Sequence, residues 1–344
     1  MESPSKEDIR RSVRSLWRTC FGDTEGFMGL YFSKKYTHES NFCIWHDGRA
    51  VSALQALPYS IHTLTEDIPI AYMSGISTLP EERGKGYAGH LIRETHRTLY
   101  EKGVVMTMLI PAEKTLFDYY TRMGYGTVAF QHRRPLKSEI KKQCLSFHVE
   151  KVNTISDGIY ASFDSLFKKN PQWTVLHSRS DMEIVLEDWH NSGGEIFVFC
   201  DQSSPVGFVC LRPDDETGDM LVYGSFLFGK VTEGIIYSFL KQKYSSKNFF
   251  IVDCIREDVN PTPYAQVRIL HPEKILSICS SFVSSSKQII LLTDDEFPEN
   301  TGCYSLLNGK KLGGILNPHM SFTPQGLAEW LFREHSISVL FMLD

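Results

Sequence analysis

Hydrophobic and polar positions alternate along the first third of the chain in a pattern that predicts both helices and strands. Apolar residues at helical spacing predict an amphipathic helix over residues 5–20 and an aromatic-faced helix around residues 27–32. Two β-prone runs, 41–45 and 50–57, flank Asp47-Gly48, a dipeptide that supplies the positive φ of a hairpin turn. The chain is therefore expected to begin with two helices and a hairpin.

Strands and helices then alternate. A strand is predicted over residues 68–79 and an amphipathic helix over residues 88–100, which Gly103 ends. The nearly continuous apolar run at residues 104–110 is typical of a strand buried on both faces. The last predicted helix and strand of this region lie at residues 113–122 and 127–131. This order of elements predicts an α/β fold built around one sheet.

The middle of the chain repeats this layout in outline. Its predicted elements are helices at 155–166, 181–189 and 231–244, a hairpin at 195–200 and 205–211, and strands at 220–228 and 249–254. From about residue 257, short strands and helices predict a small α+β domain that ends in an apolar segment, residues 336–343. We therefore predict three domains, at residues 1–135, 136–255 and 256–344.

Composition narrows the function classes. The 344 residues carry a formal charge of −5, which argues against a nucleic-acid partner. Eight scattered cysteines fit a reducing compartment, and the histidines lack the spacing of metal ligands. The N-terminal segment lacks the apolar run of a signal peptide, and no apolar stretch reaches the roughly 20 residues that cross a bilayer. We expect a cytoplasmic protein without a membrane partner, and its oligomeric state, a homo-oligomer included, stays open.

A glycine-rich turn lies between the strand at 68–79 and the helix that follows. Its sequence is Arg83-Gly84-Lys85-Gly86-Tyr87-Ala88. Glycines let backbone N–H groups converge at a helix N-terminus, where the helix dipole favours negative charge, and Arg83 and Lys85 add positive charge. The turn therefore predicts a pyrophosphate site.

Two other glycine-rich motifs fit this turn less well. Gly84, Gly86 and Gly89 match the spacing of a Rossmann fingerprint, yet a hairpin precedes the strand and no acidic residue follows the next one. A phosphate loop needs Gly-Lys-Ser/Thr, which is absent. A solvated helix start with permissive glycines is the remaining alternative.

Three segments carry a resemblance to a known family. The run from Ile76 to Ala88 resembles motif A of the GNAT superfamily, and Phe117–Tyr125 resembles that family's F-Y-x-x-x-G-Y/F segment. The whole chain, with Phe297–Tyr304 near its end, is similar to the Eis-like (enhanced intracellular survival-type) acetyltransferases. The resemblance implies a GNAT acyl-CoA N-acyltransferase fold with a central mixed sheet, a second degenerate GNAT-like domain and a sterol-carrier-like α+β domain.

The resemblance also implies a cofactor and its contacts. Acetyl-CoA would lie with its pantetheine arm between two splayed strands, 72–79 and 104–110. The residues expected to bind it are Ile76, Ser77, Thr78, Arg83, Gly84, Lys85, Gly86, Tyr87 and Ala88.

Two catalytic roles follow from the same resemblance, for direct transfer of the acetyl group to a primary amine. Tyr120 matches the general acid, although a packed helix-face tyrosine is the alternative. In Eis-like proteins the C-terminal carboxylate is the general base. This chain ends at Asp344, which carries two carboxylates, and a final edge strand with a solvated end is the alternative there.

The remaining candidates are less specific. Trp17, Phe27 and Tyr31 are expected to line an acceptor pocket or to pack in the core. His96 falls on the polar side of the motif helix, and the acids at 294–296 are interpreted as a turn. The competing function is a sterol-carrier-like protein that binds a lipid or another apolar ligand and has a non-catalytic GNAT domain. The amine substrate, a small molecule or a peptide, cannot be chosen from the fold.

Overall fold

The computed structural model describes residues 4–137, 147–254, 261–280, 288–314, 316–333 and 336–343. In chain order the helices are α1 Lys6–Phe21, α2 Glu25–Leu30, α3 Tyr87–Glu101, α4 Lys114–Thr121, α5 Asp157–Lys169, α6 Arg179–Asn191, α7 Glu233–Lys243, α8 Pro272–Cys279 and α9 Pro324–Leu331. The strands are β1 Asn41–His46, β2 Arg49–His62, β3 Asp67–Thr78, β4 Met106–Leu109, β5 Gly126–Pro135, β6 His148–Lys151, β7 Trp173–Leu176, β8 Glu195–Asp201, β9 Ser204–Pro213, β10 Met220–Tyr223, β11 Phe249–Asp253, β12 Thr262–Ile269, β13 Ile289–Leu292, β14 Gly302–Ser305, β15 Lys311–Leu312, β16 Met320–Phe322 and β17 Ile337–Ser338.

The chain divides into two compact units. The first contains residues 1–128 and 264–336, and the second contains residues 129–263 and 337–343. The three-domain division made from the sequence stays a prediction.

The first unit opens with a well-capped helix. The Ser5 side chain accepts a hydrogen bond from the Asp8 N–H, the Asp8 carboxylate accepts one from the Ser5 N–H, and Gly22 ends the helix at φ +70°. α2 follows and continues into a π-helical turn, Tyr31–Lys35. The two helices predicted here are confirmed.

The sheet of the first unit is mixed. The β1–β2 hairpin turns at Asp47 and Gly48, both with positive φ, as the Asp-Gly dipeptide predicts. β2 pairs with β3 antiparallel, β3 with β4 parallel, and β4 with β12 antiparallel. All four residues of β4 are buried, so the continuous apolar run predicts a central strand correctly. A smaller sheet with the order β15-β14-β13-β16 belongs to the same unit.

The second unit has a comparable order of elements. Its sheet runs β5-β11-β10-β9-β8-β6, and β10 pairs with β11 in parallel. The hairpin β8–β9, strand β10, a 3₁₀ turn at Ser225–Phe228, helix α7 and strand β11 follow one another as β1–β2, β3, the 3₁₀ turn Pro80–Glu82, α3 and β4 do in the first unit. The predicted α/β fold is confirmed, and the short strands β6 and β7 were not predicted.

Candidate functional site

Strands β3 and β4 separate after a short parallel ladder. Ile70 to Tyr72 pair with Met106 to Met108, and there the described ladder ends while β3 continues to Thr78. On its other side β3 stays paired with β2 up to Thr78. The last residues of β3 therefore present backbone groups toward a gap between the two strands, which is the arrangement expected from the resemblance.

A β-bulge at Gly75 bends the end of β3. Ser77 pairs with Ala53 and Ser74 with Gln55, so two β3 residues face one residue of β2. Gly75 has φ +61°, and a Cβ there would lie 2.1 Å from the Trp17 ring. Only glycine fits, because the indole packs directly against the backbone. The bulge thus packs against α1 through Trp17.

The glycine-rich turn leaves the start of α3 open. Gly84 and Gly86 have φ of +80° and +82°, and residues 83–86 are exposed. Gly86 is the N-cap, no side chain caps the helix, and its first turn contains no acid. The first N–H groups of an α-helix have no partner inside the helix, so those of Tyr87 and Ala88 are free for an anion.

The two cations of the turn are held by local acceptors. The Lys85 ammonium lies 2.7 Å from the Glu82 carboxylate, which raises the pKa of Lys85 and lowers that of Glu82. Arg83 donates from Nε to the Thr78 carbonyl at 3.3 Å. Both side chains thus lie beside the helix start with part of their donors engaged.

Tyr120 lies in the core beneath α3. Its side chain is 6% exposed and belongs to a cluster with Leu91, Ile92 and Leu109. Burial raises the pKa of Tyr120, so the phenol stays protonated at neutral pH. No hydrogen-bond partner for its hydroxyl lies in the described part of the chain. Tyr120 therefore has a proton that no neighbouring group competes for.

A buried polar chain, which the sequence did not reveal, adjoins Tyr120. The Tyr125 hydroxyl lies 2.9 Å from Thr107 Oγ1 and 2.8 Å from His96 Nε2, and His96 Nδ1 lies 2.8 Å from Glu296. His96 is fully buried, so its expected place on the polar side of the helix is wrong. The cause is Glu296, two hundred residues later, whose carboxylate gives the imidazole a partner.

The acids at 294–296 have a role beyond the expected turn. Asp294 is buried, accepts from Arg268 Nη2 at 2.8 Å, and accepts the N–H groups of Glu296 and Phe297 at 3.1 Å. Arg268 is 1% exposed and also lies 3.4 Å from Glu296. Residues 295–296 thus lie in a bend, and Asp294 and Glu296 also belong to a buried ion-pair network with Arg268.

The three aromatic residues expected at an acceptor pocket lie at different depths. Trp17 and Tyr31 are 3% and 1% exposed, and their rings lie 4.6 Å apart. Trp17 Nε1 donates to Asp23 at 2.6 Å, and the Tyr31 hydroxyl lies 3.4 Å from Ser74 Oγ. Phe27 is half-buried, 6.0 Å from the Tyr31 ring. Phe27 is thus the most accessible of the three.

Comparison with known proteins gives a family match for the N-terminal part of the first unit. Residues 3–128 match the family model "Acetyltransferase (GNAT) domain". The chain is an acyltransferase enzyme. No curated protein matches the sequence.

Several solved structures share the fold of nearly the whole chain. A conserved protein of Enterococcus faecalis V583, described as a probable N-acyltransferase, is 15% identical with a TM-score of 0.76, covering 96% of this chain and 88% of that one. A GCN5-related N-acetyltransferase from Anabaena variabilis is 18% identical (TM-score 0.74; 94% and 87%). Eis1 from Mycobacterium abscessus is 12% identical (TM-score 0.72; 96% and 88%). These likenesses confirm the GNAT fold.

The second unit of the acyltransferase has a closed helix start where α3 has an open one. The Thr232 hydroxyl accepts the Ile235 N–H at 3.4 Å, and Glu233 occupies the first turn of α7. Arg134 donates two hydrogen bonds to Glu233, at 3.0 and 2.6 Å. At the first turn of α7, side-chain oxygens of the protein thus take the place that an anion could occupy at α3.

The C-terminal segment packs within the second unit. The Leu340 carbonyl lies 2.7 Å from His177 Nε2, and the Val339 carbonyl accepts from Cys254 Sγ at 3.4 Å. Phe341 adopts φ +60°, rare for an aromatic residue, with its ring 5.4 Å from Trp189. Asp344 lies outside the described residues.

The described part of the chain contains neither a membrane-spanning helix nor a candidate metal site. None of its helices is long and apolar enough to cross a membrane. Nor do its described residues contain a group of three or more His, Cys, Asp and Glu side chains that could hold a metal ion.

Proposed function

We propose that this acyltransferase transfers an acetyl group from acetyl-CoA directly to a primary amine of a small molecule or peptide. The observation that carries the proposal is the uncapped start of α3 together with the edge of β3 that faces β4 beyond the end of their ladder. The start of α3 would accept a diphosphate, and that edge of β3 would pair with an extended amide chain. Together they match the two ends of a pantetheine diphosphate.

The residues present fit acetyl-CoA. The N–H groups of Gly86, Tyr87 and Ala88 would hold the diphosphate, with Gly84 giving the turn its close approach and Arg83 and Lys85 at its rim. The backbone of Ile76, Ser77 and Thr78 would hold the pantetheine, and an N–H there would stabilise the developing oxyanion. When bound, acetyl-CoA supplies an acyl group activated as a thioester.

Tyr120 is proposed as the general acid that protonates the departing thiolate. Its buried hydroxyl is protonated, and the described residues offer it no competing partner. A thiolate leaving into an apolar site is a strong base, since burial raises the pKa of a thiol as well. The raised pKa of the phenol therefore does not by itself prevent proton transfer to the thiolate.

The general base is proposed to be a carboxylate of Asp344, on the strength of the Eis-like resemblance. The preceding apolar segment is buried, and the left-handed Phe341 is retained inside an aromatic cluster. Such strain persists only where packing holds it in place. This packing favours a defined position for the tail.

The acceptor amine is proposed to approach past Phe27, with Trp17 and Tyr31 supporting that surface from the core. We also keep the proposal that residues 256–344 form a sterol-carrier-like domain. The free cysteines among the described residues fit the reducing cytoplasm proposed from the sequence.

A thiol-release assay with acetyl-CoA and a panel of polyamines, aminoglycosides and lysine peptides tests the function. Calorimetry with CoA, and thermal unfolding with acetyl-CoA or a fatty acid, run in parallel. We expect CoA binding and amine-dependent thiol release. Stabilisation by the fatty acid with no response to CoA would overturn the proposal in favour of an apolar-ligand protein.

A further inference from the structure

A cavity lined by three arginines and three acids lies at the second turn of α3. It has a volume of about 370 Å³ and is lined by Arg93, Arg122 and Arg268 together with residues 293–296 and 323–325. Every lining residue belongs to the first unit. None of these arginines belongs to the glycine-rich turn, residues 83–88.

Arg93 extends back along α3 toward its first turn. A Cβ added at Gly89, the third residue of the helix, would lie 3.6 Å from Arg93 Nη2 and 3.7 Å from the Tyr119 hydroxyl. The guanidinium therefore lies over the turn whose N–H groups are free. Helical side chains point toward the helix N-terminus, which explains why a residue of the second turn reaches this position.

The arginines of the cavity have donors to spare. Arg93 and Arg122 are exposed and form no salt bridge within the described part of the chain, unlike Lys85, which pairs with Glu82. The charge of Arg93 acts at longer range on Glu296, whose pKa it helps to lower. Arg268 is 1% exposed, and only its Nη2 makes a hydrogen bond, to Asp294. Its Nη1 is buried without a hydrogen-bond acceptor among the described residues, whereas its Nε faces the Glu296 carboxylate at 3.4 Å. Buried donors without acceptors are costly, so this wall of the cavity favours an anion.

The acids of the same cavity do not cancel this charge at its mouth. Asp294 is engaged by Arg268, and Glu296 by His96 and Arg268. Asp295 is the exposed acid on the wall. Two exposed arginines, Arg93 and Arg122, therefore stand against one exposed acid, Asp295.

We propose that Arg93 and Arg122 bind the ribose 3′-phosphate of CoA, with Arg268 as the positive floor of the subsite. The inference rests on the proposed function, which places the diphosphate at the start of α3. The 3′-phosphate lies one ribose away from the diphosphate, and Arg93, on the cavity wall, places its Nη2 close to Gly89 in the first turn of α3. Guanidinium groups hold phosphate oxygens in pairs, so this subsite distinguishes CoA from its 3′-dephospho form.

Calorimetric titration with CoA and with 3′-dephospho-CoA tests the proposal. The wild-type protein should bind CoA about tenfold or more tightly than dephospho-CoA, since hydrogen bonds to charged groups are strong. Arg93→Gln and Arg122→Gln should each reduce this ratio while leaving the affinity for dephospho-CoA unchanged. Arg83→Gln is the control, and it should weaken both ligands by the same factor because it acts on the shared diphosphate.

Three results would overturn the proposal in distinguishable ways. Equal wild-type affinities for the two ligands would remove the subsite and leave the proposed function standing. A retained ratio in both glutamine variants would assign the discrimination to other residues. Binding of neither ligand would refute the proposed function, and the subsite with it.

Discussion

The open start of α3 yields a prediction with an internal control. Gly86 begins the helix with φ +82° and Gly103 follows its end with φ +75°. A Cβ at either position would meet no atom within 4 Å. Gly86→Ala and Gly103→Ala therefore impose the same kind of backbone strain and create no clash. They differ in position, since only Gly86 adjoins the proposed diphosphate.

The expected magnitudes follow from that geometry. Alanine in the left-handed region costs about 1–2 kcal/mol, so both variants should lose about that much free energy of unfolding. The backbone at Gly86 can relieve its strain by returning to negative φ, which turns the first N–H groups of α3 away from the anion. Losing one hydrogen bond to a charged phosphate costs about 1.5–3 kcal/mol, which raises the Kd of CoA roughly tenfold to a hundredfold.

Urea unfolding and calorimetry with CoA measure the two effects separately. We expect both variants to lose similar stability and Gly86→Ala alone to bind CoA more weakly. A Gly86→Ala protein with the CoA affinity of Gly103→Ala would refute the assignment of the diphosphate to this helix start. Weaker CoA binding by both variants would show that the loss comes from general destabilisation of α3.

Three further predictions concern the buried groups of the first unit. Tyr120→Phe should lower turnover in the thiol-release assay about 10²- to 10⁴-fold with CoA affinity unchanged, and undiminished turnover would exclude Tyr120 as the acid. Burial lowers the pKa of His96, so the folded state binds fewer protons than the unfolded state, and stability should fall as pH drops below about 6.5. His96→Gln should flatten that slope in urea midpoints compared at pH values of about 7.5 and 5.5, and an unchanged slope would assign it to other groups. Asp294→Asn should cost about 3–5 kcal/mol in urea unfolding because it leaves the buried Arg268 without its carboxylate, whereas a loss below about 1 kcal/mol would contradict a buried ion pair.

Local sequence patterns were sufficient for most helices and strands of the first unit and for the turn that precedes α3. The hairpin follows from Asp47-Gly48, and the central position of β4 follows from its apolar run. β7 was missed because four residues are too few for a period to emerge. Short apolar runs of this kind become strands only through their neighbours.

The buried polar chain was beyond such patterns for a different reason. His96 reads as a polar helix position by residue type, and its partner Glu296 is two hundred residues away. The sequence around either residue therefore does not indicate that the two side chains are in contact. The acids at 294–296 gave the available signal, since a run of carboxylates next to apolar Phe297 requires a partner for any member that is buried.

The contrast between the two units shows why shared layout does not imply shared binding. Both have a strand, a 3₁₀ turn and a helix in the same order. At α7 the Thr232 hydroxyl accepts a first-turn N–H and Glu233 places a carboxylate there. An incoming phosphate would have to displace the Thr232 hydroxyl, and the Glu233 carboxylate would repel it. At α3 neither obstacle exists, so an anion finds free N–H groups in the first unit and occupied ones in the second. The proposed difference in nucleotide binding thus rests on the side chains at the first turn of each helix, and the fold supplies only their place.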